Sequence, residues 1–272
     1  MKSARGQLSA GEKKELRSIK EKLWGLLDPE KLCRKPGRSK WLESYQRHLQ
    51  ELGVTTTMQR RALLLQLWAT QGNSGPAAFW LLLFLLKNPE AMAAIRAELE
   101  NLLRGHEMRH MISQETLDSA IVLNSALEES LRLTTAPFVT REVVSEVSLK
   151  LADGREYTLR RGDRLCLFPY VSPQMDPEIH HDPQVYVINP LWATCKNQRG
   201  AQQRAANPGE GNRALETRER FVWLMLLNFE FELKNPQETF PEFDRSRYGF
   251  GVVQPVGDVV FRYRRRYEQI SI

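Results

Sequence analysis

Cysteine is scarce in this chain. Only Cys33, Cys166 and Cys195 occur among 272 residues. They lie far apart and form no Cys-x-x-Cys pair, which excludes a disulfide framework and a zinc site of the usual spacing, and fits a reducing compartment. The first twenty residues lack the apolar core of a secretion signal. From Lys196 to Ala214, apart from Pro208, no apolar side chain is larger than alanine. Such a stretch buries too little to order itself, so residues 196–214 are expected to form a disordered loop. The net charge is +6 and the pI about 9.3, which suits an anionic lipid surface or an acidic partner. No basic stripe is interleaved with aromatic residues, so no nucleic-acid binding is expected.

Charge is also missing from Ala62 to Leu86, a run of 25 residues. As a helix it would span on the order of 37 Å, about the width of a small domain. Its centre reads Gly72-Asn73-Ser74-Gly75-Pro76. Pro76 has no N–H, so the Gly72 carbonyl loses its helical partner, and the two glycines let something flat approach the backbone. A long buried helix with a defect at its centre suits a ligand site. A plain kinked core helix and a membrane span are the competing readings. Gln66, Thr70, Gln71, Asn73 and Ser74 cluster near the midpoint, where polar groups cost most in a bilayer, and argue against the span.

The rest of the chain is read as mainly helical with small β-sheets. Glu12–Leu27 and Ser39–Leu52 carry apolar residues at helical spacing. Asn88-Pro89-Glu90 has the cap, first-turn proline and acid of a helix start. Leu117–Leu133 reads as one further helix, and its Glu129 and Arg132 fall on one face, close enough to pair. From Thr134 the pattern turns extended. Strands are expected over Val139–Val147 and Ser148–Ala152, with turns at Asp153-Gly154 and Arg161-Gly162-Asp163. Cys166 is expected to be a small buried hydrophobe, and the adjacent His180 and His181 are not read as a metal pair. A helix through Phe221, Trp223 and Leu227 leads into a strand at Phe229–Leu233. A closing hairpin is expected around Pro255–Asp258, and Arg262–Arg266 as a solvated tail.

Taken in order, a long interrupted helix, a Glu-x-x-Arg helix, an arginine in the next strand and a terminal β segment resemble the cytochrome P-450 superfamily. Longer stretches sharpen the likeness to its branch that isomerises prostaglandin endoperoxides. These are Trp68-Ala69-Thr70-Gln71-Gly72-Asn73, Ala136-Pro137-Phe138-Val139-Thr140-Arg141-Glu142, Arg160-Arg161-Gly162-Asp163-Arg164 and Ser246-Arg247-Tyr248-Gly249-Phe250-Gly251. The resemblance covers roughly 38–189 and 221–263. It implies the C-terminal half of a haem-thiolate fold as one incomplete domain over 1–272, without the N-terminal membrane anchor.

The resemblance also implies roles. Glu129 and Arg132 match the structural pair behind the haem, and Arg141 an arginine near the haem propionates. Thr140, Arg141 and Arg164 match substrate contacts. Asn73 stands where monooxygenases of the superfamily carry the threonine that helps protonate dioxygen. An amide is a poor proton relay but both donates and accepts hydrogen bonds. This fits conversion of a prostaglandin endoperoxide to prostacyclin, which needs neither dioxygen nor a reductase. The implied cofactor is haem, and the implied location is the cytosolic face of the endoplasmic reticulum membrane.

One departure is large. The superfamily's Phe-x-x-Gly-x-x-x-Cys-x-Gly loop is absent, and the nearby Cys195 lacks its phenylalanine and glycines. The expectation is therefore poor haem binding and impaired activity, with an altered insert between Leu191 and about Arg218. Two alternatives stay open: a haem monooxygenase of sterols or other lipids, and a non-catalytic interaction fragment.

Overall fold

The computed structural model describes residues 8–37, 39–104, 114–188 and 213–266. Two compact units divide the chain, Met1–Gly72 and Asn73–Ile272. The first holds α1 (Ala10–Leu26), α2 (Pro29–Cys33), α3 (Lys40–Glu51) and the start of α4 (Thr56–Lys87). Ser9 and Glu12 close a reciprocal capping box at the start of α1. Asp28 caps α2 by accepting from the Glu30 and Lys31 amides and also pairs with Arg60. No single described helix is long and apolar enough to cross a membrane. The bent pair of α4 and the helix after it, at 111°, passes that test by length and composition only.

The expected interruption at Pro76 is not a break: α4 runs through it for 32 residues. Tertiary packing holds the second half in register. Ala77, Trp80, Leu81 and Leu85 are fully buried, and each of the two leucines contributes about 1.5–3 kcal/mol when removed from water. In the second unit, α4 is followed by α5 (Pro89–Leu102), α6 (Gln114–Asp118), α7 (Ile121–Thr134) and α8 (Arg213–Asn228). Ile95 and Leu99 of α5, Leu123 and Leu127 of α7, and Trp223 and Leu226 of α8 close one core with Leu81 and Leu85.

The single helix expected over Leu117–Leu133 is two. The chain breaks between α6 and α7, and Ala120 at the break supplies no side-chain cap. Glu98 of α5 does so from outside, accepting the Val122 amide at 2.8 Å and the Leu123 amide at 3.0 Å. That carboxylate satisfies two of the donors every helix start leaves open.

Among the described residues the strands form four separate two-stranded antiparallel ribbons. Strand β1 (Val139–Glu142) pairs with β4 (Arg164–Leu167), and β2 (Val147–Lys150) with β3 (Glu156–Leu159) around the Asp153-Gly154 turn. Strand β5 (Phe229–Leu233) pairs with β8 (Phe261–Arg265), and β6 (Glu242–Phe243) with β7 (Pro255–Val256). The expected closing hairpin is thus wrong, because its two arms go to different partners. The tail reading also fails. Arg262–Arg265 lie in the solvated strand β8, where Arg264 pairs across to Glu230 at 2.6 Å, and Arg266 beyond it pairs with Glu100 of α5 at 2.7 Å, so the basic end is a strand rather than a tail. Cys166 is exposed rather than buried, since β1–β4 has an open face. Cys195 and residues 196–212 lie outside the described residues; Arg213 and Ala214 open α8, so the expected loop does not reach 214.

Candidate functional site

A cavity of about 730 Å³ brings together three of the residues singled out by sequence, Asn73, Glu129 and Arg132, with Thr135, His180 and Val252 also on its walls. That volume is within the usual range for a bound small molecule. It lies wholly in the second unit.

One wall is the helical pair. Arg132 and Glu129 sit three residues apart on α7, and their side chains are only 11% and 14% exposed. The contact is bidentate: Arg132 Nε donates to Glu129 Oε2 at 2.7 Å and Nη2 to Oε1 at 2.8 Å. The guanidinium's other hydrogens go to main-chain carbonyls. Nη1 donates to Gln174 at 2.7 Å and Pro183 at 2.6 Å, and Nη2 to Val185 at 3.2 Å. Glu129 returns the favour by accepting the Val187 amide at 3.0 Å. Tyr186 donates its hydroxyl to the Ala126 carbonyl at 2.9 Å. Burial and the Glu129 charge push that phenol far above its ordinary range, so it stays a donor. Sequence alone also allows a solvated surface pair; the structure shows a clamp that ties loop 174–187 to α7.

Asn73 lines the same cavity. Its Oδ1 accepts the Val252 amide at 3.0 Å. Val252 belongs to a segment laced to the end of α7. Ala136 donates to the Gly251 carbonyl at 2.9 Å, Gly249 to the Ala136 carbonyl at 2.6 Å, and Val253 to the Thr134 carbonyl at 2.8 Å. Trp80 Nε1 donates to the Val253 carbonyl at 2.7 Å, fixing the same segment to α4. Nothing in the sequence points to Val252 or Thr135 as lining residues. The Gly249-Phe250-Gly251 spacing is the one signal, because both glycines hold a positive φ, +95° and +100°.

Thr140, Arg141 and Arg164 are not brought to this cavity. They sit exposed on the β1–β4 ribbon, where Thr140 opposes Cys166, Arg141 opposes Leu165 and Glu142 opposes Arg164. Strand alternation puts Thr140 and Arg164 on one face and Arg141 on the other. Arg141 donates to the Thr140 carbonyl at 2.8 Å.

A second cavity, of about 920 Å³, is lined by Trp80, Phe84, Tyr170, Tyr186 and Phe243 among others and holds none of those residues. Burial and a hydrogen bond to Tyr248 push the Tyr170 phenol up to about 12.

Two polar atoms in the walls of the first cavity are buried without a partner: Thr135 Oγ1 and Gln174 Oε1. Both are groups a bound molecule could satisfy. No group of three or more His, Cys, Asp or Glu side chains among the described residues is placed to hold a metal ion. His180 and His181 both touch the cavity, and His181 Nδ1 lies 2.9 Å from Asp182 Oδ2.

The cytochrome P450 family model matches residues 39–190. The chain belongs to the cytochrome P450 family, whose cofactor is haem. Within it the chain is similar to prostacyclin synthase. It is 53% identical to that of Bos taurus and 52% identical to that of Homo sapiens, each over 97% of this chain. A 5-beta-cholestane-3-alpha,7-alpha-diol 12-alpha-hydroxylase of Sus scrofa is 38% identical over 89% of the chain and 52% of its own length. The chain spans 57% of the length of the two prostacyclin synthases. A crystallised cytochrome P450 superposes on 94% of this chain and 58% of its own, with a TM-score of 0.66 at 18% identity, which shows the fold.

Tested against this cavity, haem fits in part. The space, the Glu129–Arg132 wall and the two unpartnered buried atoms suit a flat polar-edged group. The iron's usual sulfur is not supplied by the described cysteines: Cys33 and Cys166 are exposed and neither lines the cavity.

Proposed function

We propose that this chain carries the site of a prostaglandin-endoperoxide isomerase that forms prostacyclin. The reading rests on Asn73, which lines the same cavity as Glu129 and Arg132 and is anchored to Val252. An amide there hydrogen-bonds an oxygen of the substrate but relays protons poorly. That suits a reaction in which the O–O bond arrives with the substrate. It does not suit one in which dioxygen must be protonated on the enzyme.

When bound, haem supplies the iron chemistry that opens an O–O bond with no external oxidant or reductant. The chain's own residues do the rest. Glu129 and Arg132 fix loop 174–187 and so keep the cavity's floor in place. Thr135 and Gln174 offer a hydroxyl and an amide oxygen to the bound group. Thr140 and Arg164, on one face of β1–β4, and Arg141, on the other, are assigned to substrate contact and the cofactor's carboxylates by likeness alone. The missing cysteine-loop wording makes haem retention the weak step, so turnover by this chain is expected to be low. A membrane surface, at the cytosolic face of the endoplasmic reticulum, is the proposed location.

The test has two arms on the purified full-length chain. Haem is added, the sample is reduced under carbon monoxide and its absorbance is recorded. Products are then analysed after incubation with endoperoxide, or with dioxygen and a reductase plus a sterol. Prostacyclin formed without reductase supports the reading. Hydroxylated sterol from the second mixture overturns it in favour of a monooxygenase. Aggregation without any haem absorbance overturns it in favour of a non-catalytic fragment.

A further inference from the structure

We propose that the second cavity is a binding site for an apolar carboxylic acid, with the hydrocarbon body among its aromatic walls and the carboxylate on Arg245 at its mouth. It is separate from the first cavity: among the described residues the two share only Val185.

The walls come from elements far apart in sequence. Trp80 and Phe84 lie one turn apart on α4, Tyr186 belongs to loop 174–187, and Phe243 to β6. Their rings hold one another in place. Phe84 stacks on Tyr186 with centroids 4.5 Å apart, and Phe243 meets Trp80 edge-on at 5.0 Å. The volume of about 920 Å³ is near the upper end for a small-molecule site. The deep polar atoms are already committed. Trp80 Nε1 bonds the Val253 carbonyl, and the Tyr186 hydroxyl bonds that of Ala126. The interior therefore suits hydrocarbon. At the rim, Val171 and Phe240 are 64% and 45% exposed. Apolar surface that continues out of a cavity is area a ligand can cover.

Arg245 gives the site its polarity. It opens the short turn Arg245–Arg247, lines the cavity and is exposed. Among the described residues its guanidinium makes no hydrogen bond or ion pair. Its charge acts on the phenol of Tyr170, another lining residue, although burial and the bond to Tyr248 outweigh it there. Glu242 also lines the cavity, but strand alternation in β6 turns its side chain to the face opposite Phe243. A planar guanidinium takes a carboxylate through two parallel bonds. The arginine of the first cavity is not available for this, since Arg132 spends its hydrogens on Glu129 and three carbonyls.

The test titrates dodecanoate and dodecanol into the full-length chain by calorimetry, below the concentration at which the acid forms micelles. The acid should bind about tenfold more tightly, the lower end for a hydrogen bond between charged groups. Arg245→Gln, at an exposed position, should abolish that preference and leave dodecanol binding unchanged. Val171→Trp, on the exposed rim, should weaken both probes. An unchanged thermal midpoint shows that each variant still folds; should the rim variant unfold, Arg245→Gln decides alone. Equal binding of acid and alcohol by the unmodified chain overturns the proposal, as does no binding of either. A preference that survives Arg245→Gln, or an acid affinity untouched by a folded Val171→Trp, overturns it as well. Neither haem absorbance nor prostacyclin formation enters these readouts, so the isomerase reading can fail while this one stands.

Discussion

Arg132 meets Glu129 through two parallel hydrogen bonds of 2.7 and 2.8 Å and carries three main-chain carbonyls of a distant loop on its remaining hydrogens. A lysine has three donors on one nitrogen and cannot reproduce that fork. Arg132→Lys is expected to destabilise the chain by about 3 kcal/mol, the scale for breaking a buried pair. The shift of the urea midpoint measures it. Hydrogen exchange at Val187, whose amide bonds Glu129, should quicken in the same variant.

Trp80 offers a second test. It is fully buried, and its ring nitrogen donates to the Val253 carbonyl at 2.7 Å. Trp80→Phe strands that carbonyl and leaves a small void. The expected cost is about 2–3 kcal/mol, seen as a lower thermal midpoint.

Glu98 should make stability depend on pH. Burial holds its carboxyl above the ordinary value of 4.5, although the amides of Val122, Leu123 and Ile121 pull it down. The folded state therefore binds this proton more tightly than the unfolded one. The stabilising contribution is complete below pH 4.5 and is lost as pH rises through the raised folded value. Glu98→Gln should flatten the stability profile in that window, as followed by denaturant titration at a series of pH values.

Cys33 and Cys166 are both exposed in the folded chain. Both are expected to react with a thiol reagent without denaturant, at rates near those of the unfolded chain. Mass spectrometry after brief labelling checks this, and protection of Cys166 would contradict the open face of β1–β4.

Gly249 has a φ of +95°, and a Cβ there would lie 2.4 Å from the Phe138 ring. Gly249→Ala is expected to cost about 2 kcal/mol, combining strain with overlap. Gly249→Ala with Phe138→Ala should recover part of it, a coupling that a double-mutant cycle would show.

Much of the helical part was legible because its signals are local. Asn88-Pro89-Glu90 marked a helix start, and the Asn88 side chain does cap α5 at the Ala91 amide. The break at Ala120 was not legible, since its cap comes from Glu98, more than twenty residues earlier on another helix. The ribbons failed for a similar reason. Tyr248–Tyr263 has the look of a hairpin, but strand pairing is chosen by tertiary neighbours, and β8 finds β5 instead. At the site, the spacing of Glu129 and Arg132 announced their pairing. Its role as a loop clamp was hidden, because carbonyl acceptors carry no side-chain signature. The meeting of Asn73 with Val252 was hidden by distance along the chain.

That distance has a temporal consequence. The Asn73–Val252 bond joins positions 179 residues apart. Synthesis runs from the N-terminus, and contacts so remote are late to form because a long loop must close first. A nascent chain halted before residue 252 has α4 and the Glu129–Arg132 fork but no latch on Asn73. The cavity is therefore assembled last, after most of the helical frame has left the ribosome.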